Sequence, residues 1–504
     1  MIDQPSDTRS VARRVAAGTG WVIAWRLATR NLGLISTLIL VRLLSPDDFG
    51  LVALAMGFVI TVDALSAIGV QDALVREPSP GRDMYDAAFT INAIRGVLTA
   101  AVIACIAWPT AAFFKEPRLV EVMLALSLAM LLSAFENIGT VDFRRQLAFR
   151  AEFNLQFFSR LAGVAATIAA ALLWHSYWAL VVGILTTRVM RLVQSYTMCA
   201  YRPRMALGAW RRLIGFSLWT WSLAMVFQAR DRADGIIIGR MLGTAQIGVF
   251  TIGSELGGLP VTEIVEPLNR TLFSGFSLLH QKAESPTRLY LDAVETAVML
   301  ILPAGIGISM VADPMVRLVL GANWLSVVPI IQIVAMASTI SVFGNFSGAF
   351  LNASGKPRDS FLICIVSTFV RVPLMIWLIF TMGLPGAALA VAIALLSDQT
   401  LFLWRTLGPL GITVMDLLAR VWRAVLATLA MVACLTLLGM AWTPGGEGSA
   451  FLQARDLLTR CAAGALVYGA VLTLLWFAAG RPEGAERQFL TMARGFLARR
   501  KAVI

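Results

Sequence analysis

The sequence predicts an all-α polytopic membrane protein with fourteen transmembrane helices, twelve of them in two parallel six-helix repeats and two added at the C-terminal end. Three observations carry that expectation. Hydrophobic residues make up 58% of the 504 residues and charged residues 14%, whereas soluble domains run near roughly 25% charged. Apolar runs of about 20 residues recur, each long enough as a helix to cross roughly 30 Å of hydrocarbon. They are continuous rather than alternating, which excludes a transmembrane barrel. Finally, Arg42-Leu43-Leu44-Ser45-Pro46-Asp47-Asp48-Phe49-Gly50 returns as Arg240-Met241-Leu242-Gly243-Thr244-Ala245-Gln246-Ile247-Gly248, an offset of 198 residues from 42 to 240. A repeat at that spacing points to two similar halves.

The spans fall at 18 to 43, 47 to 70, 86 to 112, 119 to 140, 154 to 174, 177 to 200, 213 to 239, 245 to 272, 290 to 312, 325 to 352, 360 to 382, 385 to 407, 417 to 441 and 457 to 479. The polar segment Met1 to Gly18, with Arg9, Arg13 and Arg14, has no small-residue cleavage site and lacks the flanks of a twin-arginine signal; it reads as a cytoplasmic anchor. An even count puts both termini on one side. Positive residues concentrate in cytoplasmic loops, and with the N-terminus inside, the inner segments hold Arg144, Arg145, Arg150, Arg202, Arg204, Arg211 and Arg212 among others, the outer ones few. That asymmetry accounts for most of the net charge of +12, so no nucleic-acid partner is implied. Six spans separate the motif copies, so the halves have the same orientation, as in some transporters. Residues 1–207 form an N-terminal lobe, 208–410 a second lobe, 411–480 two additional spans and 481–504 a basic amphipathic tail.

Within the motif, Ser45 can cap the following helix, Pro46 suits its first turn, and Asp47 and Asp48 sit at its positive end. It reads as a structural connection rather than a binding site. In the tail, Phe489, Leu490, Phe496 and Leu497 share a face among Arg487, Arg494, Arg499, Arg500 and Lys501, a pattern for an interfacial helix on an anionic leaflet. The five cysteines lie in or at the ends of apolar runs with no Cys-x-x-Cys pair, and His175 and His280 are the only histidines. No metal site, cofactor or catalytic constellation is expected.

Charged residues inside spans normally face partners or a wet cavity. Arg26, Arg30, Gly33 and Thr37 follow one helical face in span one; Ala88, Asn92, Arg95 and Thr99 do so in span three, and Gln156, Arg160, Gly163 and Thr167 in span five. At 1.5 Å per residue Arg30 lies roughly 18 Å into span one, beyond easy snorkelling. Span seven carries Gln228, Arg230, Asp231, Arg232 and Asp234; span eight Thr251, Glu255, Gly258, Thr262 and Glu266; span eleven Arg371 and span twelve Asp398. A guanidinium stays charged when dehydrated and grips phosphate through two parallel hydrogen bonds. Arg26, Arg30, Arg95, Arg160, Arg230 and Arg232 are therefore the candidate phosphate-binding residues of a cationic cavity, with internal ion pairing as the alternative for each. Asp63, Glu136 and Asp231 are candidates for proton or sodium coupling. Gly344 to Gly348 in span ten permits close helix contact or a local break, and packing is the expected role.

The repeated motif with Val41 before it, Asp142-Phe143-Arg144-Arg145-Gln146-Leu147-Ala148-Phe149-Arg150 after span four, and Asp234-Gly235-Ile236-Ile237-Ile238-Gly239-Arg240 with Ile247-Gly248 resemble the polysaccharide transporter family. These are the lipid-linked oligosaccharide flippases of the multidrug/oligosaccharidyl-lipid/polysaccharide exporter superfamily, among which the chain is most like bacterial exopolysaccharide translocases. The resemblance covers nearly the whole chain. It implies a V-shaped pair of six-helix lobes around a central cavity, in the bacterial inner membrane. The implied activity moves polyprenyl-pyrophosphate-linked repeat units from the cytoplasmic to the periplasmic leaflet by alternating access, with the polyprenyl tail in membrane lipid and a polysaccharide polymerase downstream. The product would be exopolysaccharide, capsule or O-antigen. The alternatives are a peptidoglycan-precursor flippase and a multidrug or metabolite exporter of the same superfamily; the latter is expected to have twelve spans and an acidic, aromatic-lined pocket. A membrane polymerase or acyltransferase would need a large periplasmic loop or a histidine-centred site, and the sequence has neither, so no enzyme is expected.

Overall fold

A computed structural model describes residues 32–487 except 34, 67–69, 78–79, 146–147, 211–217, 283, 447–448, 483 and 486. Arg26, Arg30 and most of the basic tail lie outside the described residues, as does the side chain of Asp231. The described chain is helical throughout, without a strand. Helices α1 Pro46–Ser66, α2 Arg82–Phe114, α3 Arg118–Ala134, α4 Phe149–Trp174, α5 Trp178–Met198 and α6 Leu218–Leu242 precede α7 Thr244–Gly257 and α8 Glu266–Gln281. There follow α9 Thr287–Met310, α10 Val328–Ser338, α11 Ser341–Ala353, α12 Pro357–Met382, α13 Leu384–Leu410, α14 Val414–Leu437 and α15 Ala450–Ala478.

Among the described residues eight helices are long and apolar enough to cross a membrane, or ten if each of two bent pairs counts as one span. The chain is a multi-pass membrane protein. The fourteen spans expected from the sequence are not reached by length and apolar composition alone, for identifiable reasons. The first span lies largely outside the described residues; α5 and α6 carry arginines and other polar residues along their length; and the eighth is interrupted by a π-helical turn at Val261–Val265. The expected span 119 to 140 ends early, with a 72° bend between Arg118–Ala134 and Ile138–Arg145. Asn137 builds that bend: its side chain accepts from the Gly139 N–H at 2.9 Å and donates to the Tyr201 carbonyl at 2.7 Å, while its own N–H donates to Ser195 at 3.0 Å. Its carbonyl accepts from the Thr140 hydroxyl at 3.0 Å, so every polar group of this buried residue is used beyond the end of α3.

The chain forms two compact units, Met1–Gly248 and Val249–Ile504. In the first, the two motif copies meet. Ser45 and Asp48 cap α1 reciprocally, the Asp48 carboxylate accepting from the Ser45 N–H at 3.0 Å and hydroxyl at 2.6 Å, the arrangement of a capping box. One position earlier, Asp47 pairs with Arg118 at 2.8 Å and accepts from the Thr244 hydroxyl of the second copy. Arg118 also binds Glu116 at 2.7 Å and holds that carboxyl below its usual range. A Cβ placed on Gly50 would overlap the Thr244 carbonyl oxygen and lie 2.9 Å from the Gly248 N; one on Gly248 would overlap the Pro46 carbonyl oxygen and lie 3.0 Å from the Gly50 N. Each glycine faces the carbonyl four residues before the other, so α1 and α7 cross backbone to backbone about a local two-fold relation.

The Asp142–Arg150 motif is also structural. Asp142 accepts from Tyr85 at 2.5 Å and Arg145 at 2.9 Å, and Arg144 binds Glu152 at 2.7 Å, tying the segment after the bend to the start of α2 and to α4.

The core of the second unit packs Phe276, Tyr290, Val294, Phe346 and Leu351 between α8, α9 and α11. Tyr290, Ser347 and Thr406 form a buried hydroxyl chain at 3.0 Å per step. Gly344 accommodates the Gln399 side chain, which accepts its N–H, and the 49° break lies earlier, between Ala322–Ser338 and Ser341–Ala353. The packing role expected of Gly344 and a nearby break thus coexist. The additional helices are fastened by charge: Glu295 on α9 binds Arg423 and Arg420 of α14 at 3.0 Å each, with the Glu295 and Arg423 side chains 5% and 6% exposed. Removing one partner of such a pair leaves a buried charge and costs about 3–5 kcal/mol. Glu295→Ala is expected to lower the melting temperature in detergent by several degrees, whereas Asp292→Asn, at a carboxylate 36% exposed, should leave it nearly unchanged. Equal melting of both variants would show that this pair does not fasten α14.

A candidate anion cavity in the first unit

Helices α1, α2, α3 and α5 of the first unit, with the short helix Val70–Arg76, line a polar cavity of about 160 Å³. α2 supplies Asn92, Arg95 and Thr99 from its predicted stripe, because Gly96, next to Arg95, packs directly onto Ala134 and draws α2 against α3. Arg95 donates to Asp63 at 2.8 Å and to Ser66 at 3.1 Å, both at the end of α1, and Thr99 donates to Ser66 at 2.9 Å. The far wall is α5, which contributes Arg188 and Arg191. Arg191 lies 2.8 Å from Glu136, a half-buried residue in the bend after α3. The second Glu136 oxygen, Oε1, is buried with no partner among the described residues.

Arg188 forms no hydrogen bond or ion pair with any described residue, although its half-buried side chain lines the cavity. Three guanidinium groups against the Asp63 and Glu136 carboxylates leave one net positive charge on the wall. With part of its fork free, this donor set can take an oxyanion in two-point hydrogen bonds.

Of the residues expected from the sequence, Arg95, Asp63 and Glu136 come together here. Arg160 is exposed on α4, its guanidinium 2.9 Å from the Cβ position of Gly33. Arg230 and Arg232 are half-buried on α6, and the Arg232 Cδ lies 4.0 Å from the Cβ position of Gly57. None of these three lines the cavity. The rest of the span-five stripe is taken up by helix packing: a Cβ on Gly163 would overlap the Thr187 hydroxyl of α5, and one on Gly183 would overlap the Thr167 hydroxyl of α4. Arg188 and Arg191 are not among the residues expected from the sequence, although Gly183, Thr187, Arg191 and Ser195 recur at four-residue steps along span six, the signal that marks Arg95, and Arg188 lies three residues before Arg191.

The chain is similar to the lipopolysaccharide biosynthesis protein WzxC of Escherichia coli (strain K12), 20% identical over 371 residues that make up 73% of this chain and 75% of that protein. It is also similar to the succinoglycan biosynthesis transport protein ExoT of Rhizobium meliloti (strain 1021), 22% identical over 331 residues, 65% of this chain and 67% of that one. Among solved structures, the lipid II flippase MurJ in an inward closed conformation matches with a TM-score of 0.70 at 14% identity, over 91% of this chain and 100% of that chain. An inward-facing multidrug resistance MATE family transporter of the MOP superfamily matches at 0.60 and 17% identity, over 75% of this chain and 95% of that one. These structural likenesses show the fold. A polysaccharide biosynthesis protein family model matches residues 39–329, more than half of the sequence, so the chain belongs to that family and is built on the MurJ and MATE fold.

Proposed function

We propose that this protein is a flippase that carries polyprenyl-pyrophosphate-linked oligosaccharide repeat units from the cytoplasmic to the periplasmic leaflet of a bacterial inner membrane by alternating access. In this reading both termini are cytoplasmic and fourteen spans form lobes at 1–207 and 208–410, two further helices at 411–480 and a basic tail at 481–504. A polysaccharide polymerase consumes the product. The observation that carries the proposal is the cavity where Arg95, Arg188 and Arg191 converge, with Arg188 unpaired among the described residues. A pyrophosphate headgroup pulled through bare hydrocarbon would lose its hydration without compensation; a wet wall of guanidinium groups replaces that hydration. The Asp63–Arg95 pair gives a route to coupling, because a phosphate that draws Arg95 away frees Asp63 for a proton or sodium ion.

The test is Arg95→Ala in a strain lacking the chromosomal gene. Loss of a charge-assisted contact of about 1.5–3 kcal/mol predicts a tenfold to hundredfold fall in surface polysaccharide at unchanged membrane protein level. Normal polysaccharide output would sink the assignment. The likeness to MurJ keeps a peptidoglycan-precursor substrate as the second reading. Rescue of cells depleted of their lipid II flippase, without rescue of polysaccharide export, would favour it.

A further inference from the structure

A second cavity, apolar and about 610 Å³, runs beside the first, within the roughly 300–1,000 Å³ of small-molecule sites. Val62 and Leu65 of α1 face Ile91, Ile94, Leu98 and Val102 of α2 across it. The α2 positions 91, 94, 95, 98, 99 and 102 trace one helical face, so the groove extends roughly 16 Å at 1.5 Å per residue. It is one helix pair wide. Ile94, Leu98 and Val102 are 48%, 60% and 46% exposed, which leaves it open along its side. Arg95 and Thr99 line both cavities, and Ser66, which holds Arg95, lines the groove. Apolar lining therefore adjoins a guanidinium directly, with Ile91 and Ile94 before Arg95 along α2 and Leu98 and Val102 after it.

We propose that this groove holds the first isoprene units of the substrate's polyprenyl chain, with the pyrophosphate at Arg95 passing into the polar cavity; the proposal rests on the flippase reading above. Charge complementarity selects the occupant. A polyprenyl pyrophosphate carries its anion directly on one hydrocarbon chain, which matches a groove whose apolar Leu98 and Val102 lie one and two turns beyond Arg95 on the same face of α2. A glycerophospholipid places an ester-linked glycerol and two chains at that junction, and a lipophilic cation is repelled by Arg95. The tail is then not wholly in bulk lipid: its first units are gripped by α1 and α2, so the groove reads the chain while the cavity reads the headgroup.

The experiment uses the full chain in nanodiscs with a farnesyl pyrophosphate analogue bearing a diazirine on its terminal isoprene unit, irradiated and mapped by mass spectrometry. Labelling of Val62, Leu98 and Val102 is expected, competed by farnesyl pyrophosphate. Leu98→Trp, which fills the groove, should weaken labelling about tenfold; mapping on the unsubstituted chain keeps the test valid if that variant fails to fold. Labelling confined to other helices overturns the proposal, as does groove labelling that farnesyl pyrophosphate leaves untouched. Equal competition by phosphatidylglycerol also overturns it, making the groove a general lipid contact. Failure of the flippase reading has its own signature: a diazirine farnesol labels the groove as strongly as the pyrophosphate, and Arg95→Ala changes neither, so the isoprenoid groove stands while the headgroup site falls.

Discussion

Gly50→Ala is expected to destabilise the protein and stop polysaccharide export, although glycine-to-alanine exchange within a helix ordinarily stabilises by about 0.5–1 kcal/mol. The reversal of sign is the diagnostic. A methyl group on Gly50 overlaps the Thr244 carbonyl oxygen, and one on Gly248 overlaps that of Pro46. Both obstacles are backbone, so relief requires α1 and α7 to move apart, which also breaks the Asp47–Thr244 hydrogen bond. Overpacking of this kind costs about 1–3 kcal/mol or more. Because both substitutions open the same crossing, the double variant should fall short of the sum of the single effects. Gly57→Ala is the control, since among the described residues its Cβ position meets nothing nearer than the Arg232 Cδ at 4.0 Å. Melting temperatures of the purified variants and surface polysaccharide in cells are the readouts. If Gly50→Ala melts and exports like Gly57→Ala, the two motif copies do not cross as described.

That crossing marks what the sequence could and could not reveal. An offset of 198 residues identifies a repeat and its orientation, and the Ser-Pro-Asp-Asp string announces its own helix start. Nothing in a one-dimensional pattern says that the copies touch, because the contact is made by absent side chains. The polar stripes show a related ambiguity. Spacing of three and four residues puts Asn92, Arg95 and Thr99 into a cavity, yet the same spacing puts Gly163 and Thr167 into a dry seam against Gly183 and Thr187. Small and hydroxyl residues serve close helix packing as well as wet surfaces, so periodicity names a face without naming its neighbour. Asp63 and Glu136 stood out as charges; their partners Arg95 and Arg191 could be read only once four helices were in place. The bend at Asn137 was hidden for the same reason, since its stabilising groups lie 58 and 64 residues away.

The two arginines of α5 should separate binding from stability. Arg188→Ala removes a side chain with no ion pair among the described residues, so it should leave the melting temperature nearly unchanged while weakening pyrophosphate binding. Arg191→Ala instead strips half-buried Glu136 of its 2.8 Å partner and should lower both stability and binding. Reversing the charge is harsher: Arg188→Glu turns three cations against two anions into two against three. At an effective dielectric near 20, each unit charge about 6 Å from a phosphate is worth roughly 3 kcal/mol, so affinity for farnesyl pyrophosphate should fall more than hundredfold. Arg188→Lys keeps the charge but loses the planar fork, and its affinity should lie between those of the unsubstituted protein and Arg188→Ala. Titration calorimetry and thermal melting on the unsubstituted protein and the four variants distinguish the roles. Wild-type affinity in Arg188→Glu would remove the cavity from the transport path, whereas loss of binding without loss of stability in Arg188→Ala would identify a guanidinium held unpaired by the fold for its substrate.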